Sequence, residues 1–138
     1  MDNGFEIIEH TADVGIRAFG RDIQEVFTNA ARGMFSLITE LDDVVEAEYR
    51  DIEITAPDAE SLLVEWLNEL IYLFDTENIL FKRFDIAEID KTKLRVRSYG
   101  ERVDSSKHRL KTGIKAATYH MLKIEQDLGC KAEVLFDI

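Results

Sequence analysis

Apolar residues recur at spacings of three and four in only two stretches of the sequence, residues 22–39 and 59–75. This is the period of an amphipathic helix with one buried stripe. Asp22, with Glu25 three residues later, and Asp58 stand where the side chain of an N-cap residue would accept a backbone hydrogen bond. The pattern predicts two helices and no more.

Most of the remaining sequence alternates between apolar and polar residues, which is typical of β-strands. Near Arg50 the apolar positions between residues 44 and 56 change parity, which predicts a bulge or two strands. The last two predicted strands should form a hairpin about residues 126–130. Apart from the stretch at 44–56, the predicted strands are residues 5–9, 14–19, 79–89, 94–100, 113–125 and 131–137.

The order of these segments indicates the fold class. Strands and helices do not alternate regularly, which favours an α+β fold over a doubly wound sheet. A chain of 138 residues fits one hydrophobic core, so residues 1–138 are expected to form a single domain. We expect one mixed β-sheet of about seven or eight strands, with both helices packed on one face.

Charge and cysteine content restrict the partners. The chain has 28 acidic and 17 basic side chains, a net charge of −11. A surface of this sign repels phosphate backbones, so strong direct nucleic-acid binding is not expected, and a basic protein or a cation is favoured. The basic cluster at residues 107–111 is interpreted as a solvated loop. One cysteine, Cys130, excludes an internal disulfide or a zinc site with several thiolates.

No targeting segment is recognisable. The start lacks the basic and apolar regions of a signal peptide, and no window reaches the roughly 18 apolar residues of a membrane helix. We expect a cytoplasmic protein without membrane contact.

The common catalytic motifs GxxxxGK[ST], GxGxxG, GxSxG and HExxH are absent. Candidate chemistry therefore rests on three polar groups in apolar surroundings. They are His10–Thr11–Asp13, Thr118–Tyr119–His120 and Asp137–Ile138.

Each of these groups has a structural and a functional interpretation. Asp13 could accept hydrogen bonds from turn N–H groups, and Asp137 could belong to a frayed end. Alternatively, these carboxylates and the oxygens of Ile138 are hard donors that suit Ca²⁺, Mg²⁺ or Mn²⁺. His120 shares strand parity with apolar neighbours, so its ring is expected to face the interior, as a hydrogen-bonded core residue or a ligand. His10 could be a ligand, a base or a strut for the turn.

Read together, these motifs resemble the archease family over nearly the whole chain and in the same order. The matching segments are HTADVGI at 10–16, DIQEVFTNAARGMF at 22–35, SLLVEWLNEL at 61–70, YGERVD at 99–104, IKAATYH at 114–120 and FDI at 136–138.

The resemblance implies a protein cofactor rather than an enzyme. Archeases activate an RtcB-type tRNA-splicing ligase by promoting guanylylation of its active-site histidine and multiple turnover, and they can broaden its nucleotide choice. The resemblance also implies a divalent cation, calcium with Mg²⁺ or Mn²⁺ as alternatives, bound by Asp13, Asp137 and the backbone oxygen of Ile138. His10 and Thr11 would fix the turn, with His120 as a further supporting residue.

Two other functions remain open. One is a chaperone-like modulator of a tRNA-modifying enzyme, such as a tRNA methyltransferase, in which the carboxylates are only structural. The other is a metal-dependent hydrolase that uses Asp13, Asp137 and His120, which the lack of an evident nucleophile disfavours.

Overall fold

The computed structural model describes residues 4–10 and 13–138, with only the backbone of His10. In that part of the chain it contains two α-helices, eight strands and a short 3-10 helix, Leu41–Asp43, and it confirms the α+β class. The helices are α1 (Ile23–Ile38) and α2 (Ala59–Glu77). The strands are β1 (Phe5–His10), β2 (Asp13–Gly20), β3 (Glu48–Thr55), β4 (Ile79–Ile89), β5 (Lys93–Arg102), β6 (Ala116–Ala117), β7 (Lys123–Glu125) and β8 (Cys130–Asp137).

Both helices begin where the cap residues predict. The Glu25 N–H donates to Asp22 Oδ1 at 2.9 Å, and the Ser61 N–H donates to Asp58 Oδ1 at 2.8 Å. The second helix ends at Glu77, and its C-cap residue Asn78 takes the left-handed conformation with φ 55°. Neither helix, nor any other in the described ranges, is long and apolar enough to cross a bilayer.

The strands form two antiparallel sheets, so the prediction of one mixed sheet is wrong. In the first sheet the order is β1-β2-β8-β6, and β7 also pairs with β8. In the second the order is β3-β5-β4. Both helices contact strands of both sheets, so they do not cover one face of a single sheet. Alternation along a strand indicates its two faces but not the strands with which it pairs. The sequence therefore did not predict that the strands form two separate sheets.

The buried apolar residues form one cluster between the helices and the sheets. Trp66 lies fully within it, where its Nε1–H donates to the Phe27 carbonyl at 3.1 Å. Its ring meets Phe84 edge to face at 5.5 Å between centroids. The apolar stripe of α2 is therefore core, as its helical period predicts.

Two predicted strands differ from those observed. Strand β3 pairs with β5 in unbroken register, and the bulges lie instead in β4, between Phe81 and Arg83 and between Ile86 and Glu88. The predicted strand at 113–125 is divided into β6 and β7 by a turn. The predicted hairpin about residues 126–130 is confirmed, because β7 and β8 pair on either side of it.

The basic cluster at 107–111 is not a freely solvated loop, because His108 is only 4% exposed. Its Nδ1 accepts from the Asp104 N–H at 2.9 Å, and Nε2 lies 2.9 Å from Glu101 Oε2. Since Nδ1 is an acceptor, the proton of the neutral ring is on Nε2 and is donated to Glu101. Lys107 Nζ also contacts that Glu101 oxygen, at 2.7 Å. The loop is therefore fixed to β5.

Candidate functional site

Asp13 and Asp137 lie at the same end of two paired strands. Strands β2 and β8 are antiparallel from Val14 opposite Phe136 to Gly20 opposite Cys130. Asp13 precedes Val14 and Asp137 follows Phe136, so continuing this register by one residue places the two aspartates opposite each other. Residues in that relationship have Cβ atoms about 4.5–5.5 Å apart. The register thus places Asp13 and Asp137, which are 124 positions apart in the sequence, at the same end of the sheet.

The two aspartates also share a face of the sheet. Ile16, Ala18 and Val134 are buried in the core, so the odd-numbered residues of both strands point to the other face. A pair farther along that face demonstrates the register, because Arg17 Nε lies 2.6 Å from Glu133 Oε2, directly across the strands.

The environments of these two cross-strand pairs differ in charge. Arg17 lies between two carboxylates, since its guanidinium also contacts Glu6 on β1. The hydrogen bonds that Arg17 donates to Glu133 and Glu6 raise the pKa of Arg17 above its usual value. In the described part of the chain no basic side chain pairs with Asp13 or Asp137. The repulsion between these two carboxylates is therefore left to solvent or to an external cation.

Two residues along the strands from the aspartates, Gly15 lies opposite Leu135. Leu135 is buried but lies outside the main apolar cluster. A Cβ on residue 15 would stand 2.6 Å from Leu135 Cδ2 and 2.5 Å from the Val134 carbonyl oxygen. The glycine of the HTADVGI segment therefore allows β2 and β8 to approach beneath the aspartate pair.

The other side of β8 is held by β6 and α2. The Lys115 N–H donates to the Asp137 carbonyl at 2.8 Å, and Ala116 pairs with Asp137. Asn68 of α2 binds the backbone of Ala117 twice: its Nδ2 donates to the carbonyl at 3.2 Å, and its Oδ1 accepts from the N–H at 2.8 Å. This side-chain amide replaces a neighbouring strand and ties the end of β8 to the helix layer.

The remaining candidate residues have different positions. The backbone of His10 pairs with Asp13, but the His10 side chain and Thr11 lie outside the described residues. His120 does not face the interior as its parity predicts, because it lies in the turn after β6 and is exposed. Ile138 follows Asp137 and is 50% exposed.

The donor set fits a hard cation only if backbone oxygen contributes. Across residues 4–10 and 13–138, no three His, Cys, Asp or Glu side chains are placed to hold a metal ion together. Asp13, Asp137 and the carbonyl of Ile138 are all oxygen donors, of the kind that Ca²⁺ and Mg²⁺ accept. The site would therefore be shallow and open to a partner.

Sequence reasoning missed Gly15 and Asn68 as supports of this site. Gly15 stands inside a strand pattern, which is a signal of close backbone approach. Asn68 is a polar residue directly after the buried Trp66–Leu67 pair, which indicates a partner for its amide. Thr118 belongs to one of the three candidate polar groups, but its hydrogen bonds to the Leu135 carbonyl have no local signal.

Comparison with known proteins identifies the family of this chain. The profile of the archease protein family matches residues 5–138. Protein archease of Methanosarcina mazei is 40% identical over 139 residues, covering 97% of this chain and 95% of the relative. Protein archease of Sulfurisphaera tokodaii is 42% identical, covering 88% of each.

Two solved structures share the fold. The solution structure of Methanobacterium thermoautotrophicum protein 1598 superimposes with a TM-score of 0.84 at 41% identity, covering 98% of this chain and 99% of that one. The crystal structure of a Thermotoga maritima archease, described as a possible chaperone, gives a TM-score of 0.66 at 26% identity, covering 95% and 94%. With its family profile, relatives and fold in agreement, this chain belongs to the archease protein family.

Proposed function

We propose that this protein is a non-catalytic cofactor of tRNA splicing and RNA repair that activates an RtcB-type RNA ligase. The observation that carries the proposal is the opposed pair Asp13 and Asp137, which has no basic partner in the described chain. The same sheet neutralises its other cross-strand carboxylates with Arg17. Two neighbouring carboxylates repel each other, and a cation or a basic partner would relieve that repulsion.

The proposed mechanism assigns distinct roles to the chain's own residues. Asp13 and Asp137, with the Ile138 carbonyl, would hold a divalent cation, calcium or alternatively Mg²⁺ or Mn²⁺. Such a cation supplies Lewis-acid and charge-orienting chemistry when bound. Gly15, Leu135 and Asn68 hold β2, β8 and β6 together, so the carboxylates need little reorganisation when the partner arrives.

In this proposal the acidic end of the sheet inserts beside the ligase active site and orders its histidine for guanylylation. The net charge of −11 suits docking onto the basic surface with which an RNA ligase binds phosphates. The association should therefore weaken as salt is raised.

Single-turnover guanylylation of the ligase by GTP, at limiting divalent metal, tests the proposal. Wild-type protein should accelerate the reaction, and Asp13→Asn or Asp137→Asn should lose at least tenfold of that acceleration. Glu133→Gln is the matched control, because it removes a cross-strand carboxylate of the same two strands and face. Full activation by both aspartate variants would contradict the proposed role of the site.

The second candidate is a chaperone-like modulator of a tRNA methyltransferase. It is favoured by the similarity to the Thermotoga maritima protein described as a possible chaperone. A chaperone role requires neither metal nor the aspartates. Protection of the methyltransferase from aggregation, undiminished by Asp13→Asn and by chelation, would favour this candidate over ligase activation.

A further inference from the structure

The turn that follows β6 stands beside the aspartate pair. We call residues 118–122 the 118–122 turn. The Thr118 N–H donates to the Leu135 carbonyl at 3.0 Å, which fixes the turn to β8 two residues before Asp137. At about 3.4 Å per residue, the base of the turn lies roughly 7 Å along the strand from the site.

This turn presents two large apolar side chains to solvent. Tyr119 is 57% exposed and Met121 is 62% exposed. The half-exposed Ile138 lies at the adjoining end of β8. Aromatic and methionine side chains are enriched where protein interfaces form.

The turn is hydrogen-bonded internally, so it is not a loose loop. Thr118 Oγ1 donates to the Leu135 carbonyl at 3.0 Å and accepts from the His120 N–H at 3.3 Å. The Leu122 N–H donates to the Tyr119 carbonyl at 3.1 Å. Met121 takes a left-handed conformation, with φ 56°, which is unfavourable for a residue with a long side chain. Burial of the Met121 side chain does not offset this strain, because the side chain is mostly exposed.

The charge around the turn also differs from that of the rest of the chain. Residues 114–124 contain no acidic residue, although the whole chain has 28. The segment includes Lys115, His120 and Lys123, and Lys123 Nζ contacts Glu125 at 2.9 Å. An apolar turn whose own segment carries no acidic residue therefore adjoins two aspartates. This combination suits a partner that offers an apolar surface next to a cationic or metal-containing site.

We propose that the 118–122 turn is the second contact with the ligase, in which Tyr119 and Met121 supply binding energy while the aspartates act on the active site. This inference rests on the proposed function, because it takes the same ligase as the occupant. Continuity with the site supports it, since one partner surface can cover the turn, Ile138 and the aspartates together. Substitutions in the turn should therefore change the affinity for the ligase, and substitutions of the aspartates should change its activation.

The test uses Tyr119→Ser combined with Met121→Ser, and Leu128→Ser as a matched control. Leu128 is also apolar, fully exposed at 103% and left-handed with φ 53°. It lies in the hairpin at the opposite end of β8, nine residues or roughly 30 Å from Asp137. Because all three side chains are exposed, the variants should unfold at the wild-type temperature.

Calorimetric titration of the ligase should give a Kd at least tenfold weaker for the double variant and unchanged for Leu128→Ser. At saturating concentration the double variant should still reach the wild-type guanylylation rate, unlike Asp13→Asn. If the wild type activates and the double variant binds equally well, the inference is overturned and the proposed function stands. A loss of the saturated rate without a change in Kd also overturns it. If the wild type neither binds nor activates, both fall together.

Discussion

The side chain of Leu135 occupies the space that a Cβ on Gly15 would need. The two residues are opposite each other on β8 and β2, and such a Cβ would stand 2.6 Å from Leu135 Cδ2. Contact with the Val134 carbonyl oxygen would be 2.5 Å, and backbone cannot rotate away as a side chain can. The separation of the two strands below the aspartate pair therefore depends on the absence of one methyl group.

Gly15→Ala should lower the free energy of unfolding by about 1–3 kcal/mol, the usual cost of overpacking. It should also reduce the proposed ligase activation, because the added methyl group pushes β2 from β8 next to Asp13. Urea denaturation measures the first effect and guanylylation the second. Gly113→Ala is the control, because a Cβ at residue 113 has no atom within 4 Å. Equal stability of the two variants would show that the strands can separate without cost.

Asn68→Ala should loosen β6 without unfolding the protein. The substitution removes both hydrogen bonds to Ala117 and leaves a backbone N–H and a carbonyl unpaired, at a cost of about 1–3 kcal/mol for an unsatisfied group. Amide hydrogen exchange at Ala117 should become faster, while exchange in β5 stays unchanged. Asn68→Asp retains an acceptor for the Ala117 N–H and should protect that amide better than alanine does. Unchanged exchange at Ala117 in both variants would show that the hydrogen bonds from Asn68 do not hold β6 in place.

The helices and most strands could be predicted because their signals are local. Asp22 and Asp58 mark helix starts through hydrogen bonds to residues three positions later, and these bonds form wherever the helix packs. Antiparallel neighbours such as β7 and β8 are joined by a short hairpin, so their pairing is also local. Asp13 and Asp137 are candidates through their oxygen donors, and the resemblance to archeases implies that they share a cation.

The features of the fold and the site that the sequence did not predict depend on contacts between residues distant in sequence. Nothing near Gly15 indicates that Leu135 will lie over it, and nothing near Ala117 indicates that Asn68 will replace a strand. The 113–125 segment alternates like one strand, but a turn that contains the left-handed Met121 interrupts it, and His120 is exposed in that turn. His108 stands among basic residues, yet the carboxylate of Glu101 makes its burial possible. Local periodicity carries no information about such partners.

Ser98→Ala should leave stability unchanged or raise it by up to about 1 kcal/mol. Ser98 Oγ is fully buried and, in the described part of the chain, has no hydrogen-bond partner. Removing a buried hydroxyl that makes no bond removes its desolvation cost. Thr39→Val provides the opposite case, since Thr39 is equally buried and its Oγ1 donates to the Arg109 carbonyl at 2.8 Å. It should cost about 1–2 kcal/mol in urea denaturation. A large loss at Ser98 would reveal a partner for its hydroxyl.

Stability should fall in acid through Glu101. Burial alone would raise the pKa of Glu101, but hydrogen bonds from Lys107, the Val45 N–H and His108 outweigh it and lower the pKa to about 2 from 4.5. Because the folded-state pKa is the lower one, the stabilisation is complete above about pH 4.5 and is lost as pH falls towards 2.

The size of this contribution is on the order of 3 kcal/mol at neutral pH. Glu101→Gln should lack it, so the difference in unfolding free energy between wild type and variant should shrink between pH 5 and about pH 2.5. Taking the difference is necessary because hydrogen bonds also lower the pKa values of Asp51, Asp58 and Asp104. A difference that is constant over this range would contradict the role of Glu101.

Divalent cations should stabilise the free protein through the aspartate pair. A ligand that binds only the folded state adds about 2.7 kcal/mol at a concentration 100 times its Kd. The unfolding temperature of the wild type should therefore rise when Ca²⁺ is added. The rise produced by Mg²⁺ and by Mn²⁺ can be measured in the same way and compared with that of Ca²⁺. Asp13→Asn and Asp137→Asn should abolish the shift.

Without metal the same variants should be as stable as the wild type or slightly more so, because each substitution removes one of two neighbouring negative charges. Glu133→Gln should keep the full metal response but lose stability without metal, because it leaves Arg17 with one fewer partner. This opposite behaviour of carboxylates on the same two strands separates a cation site from a general effect of negative charge.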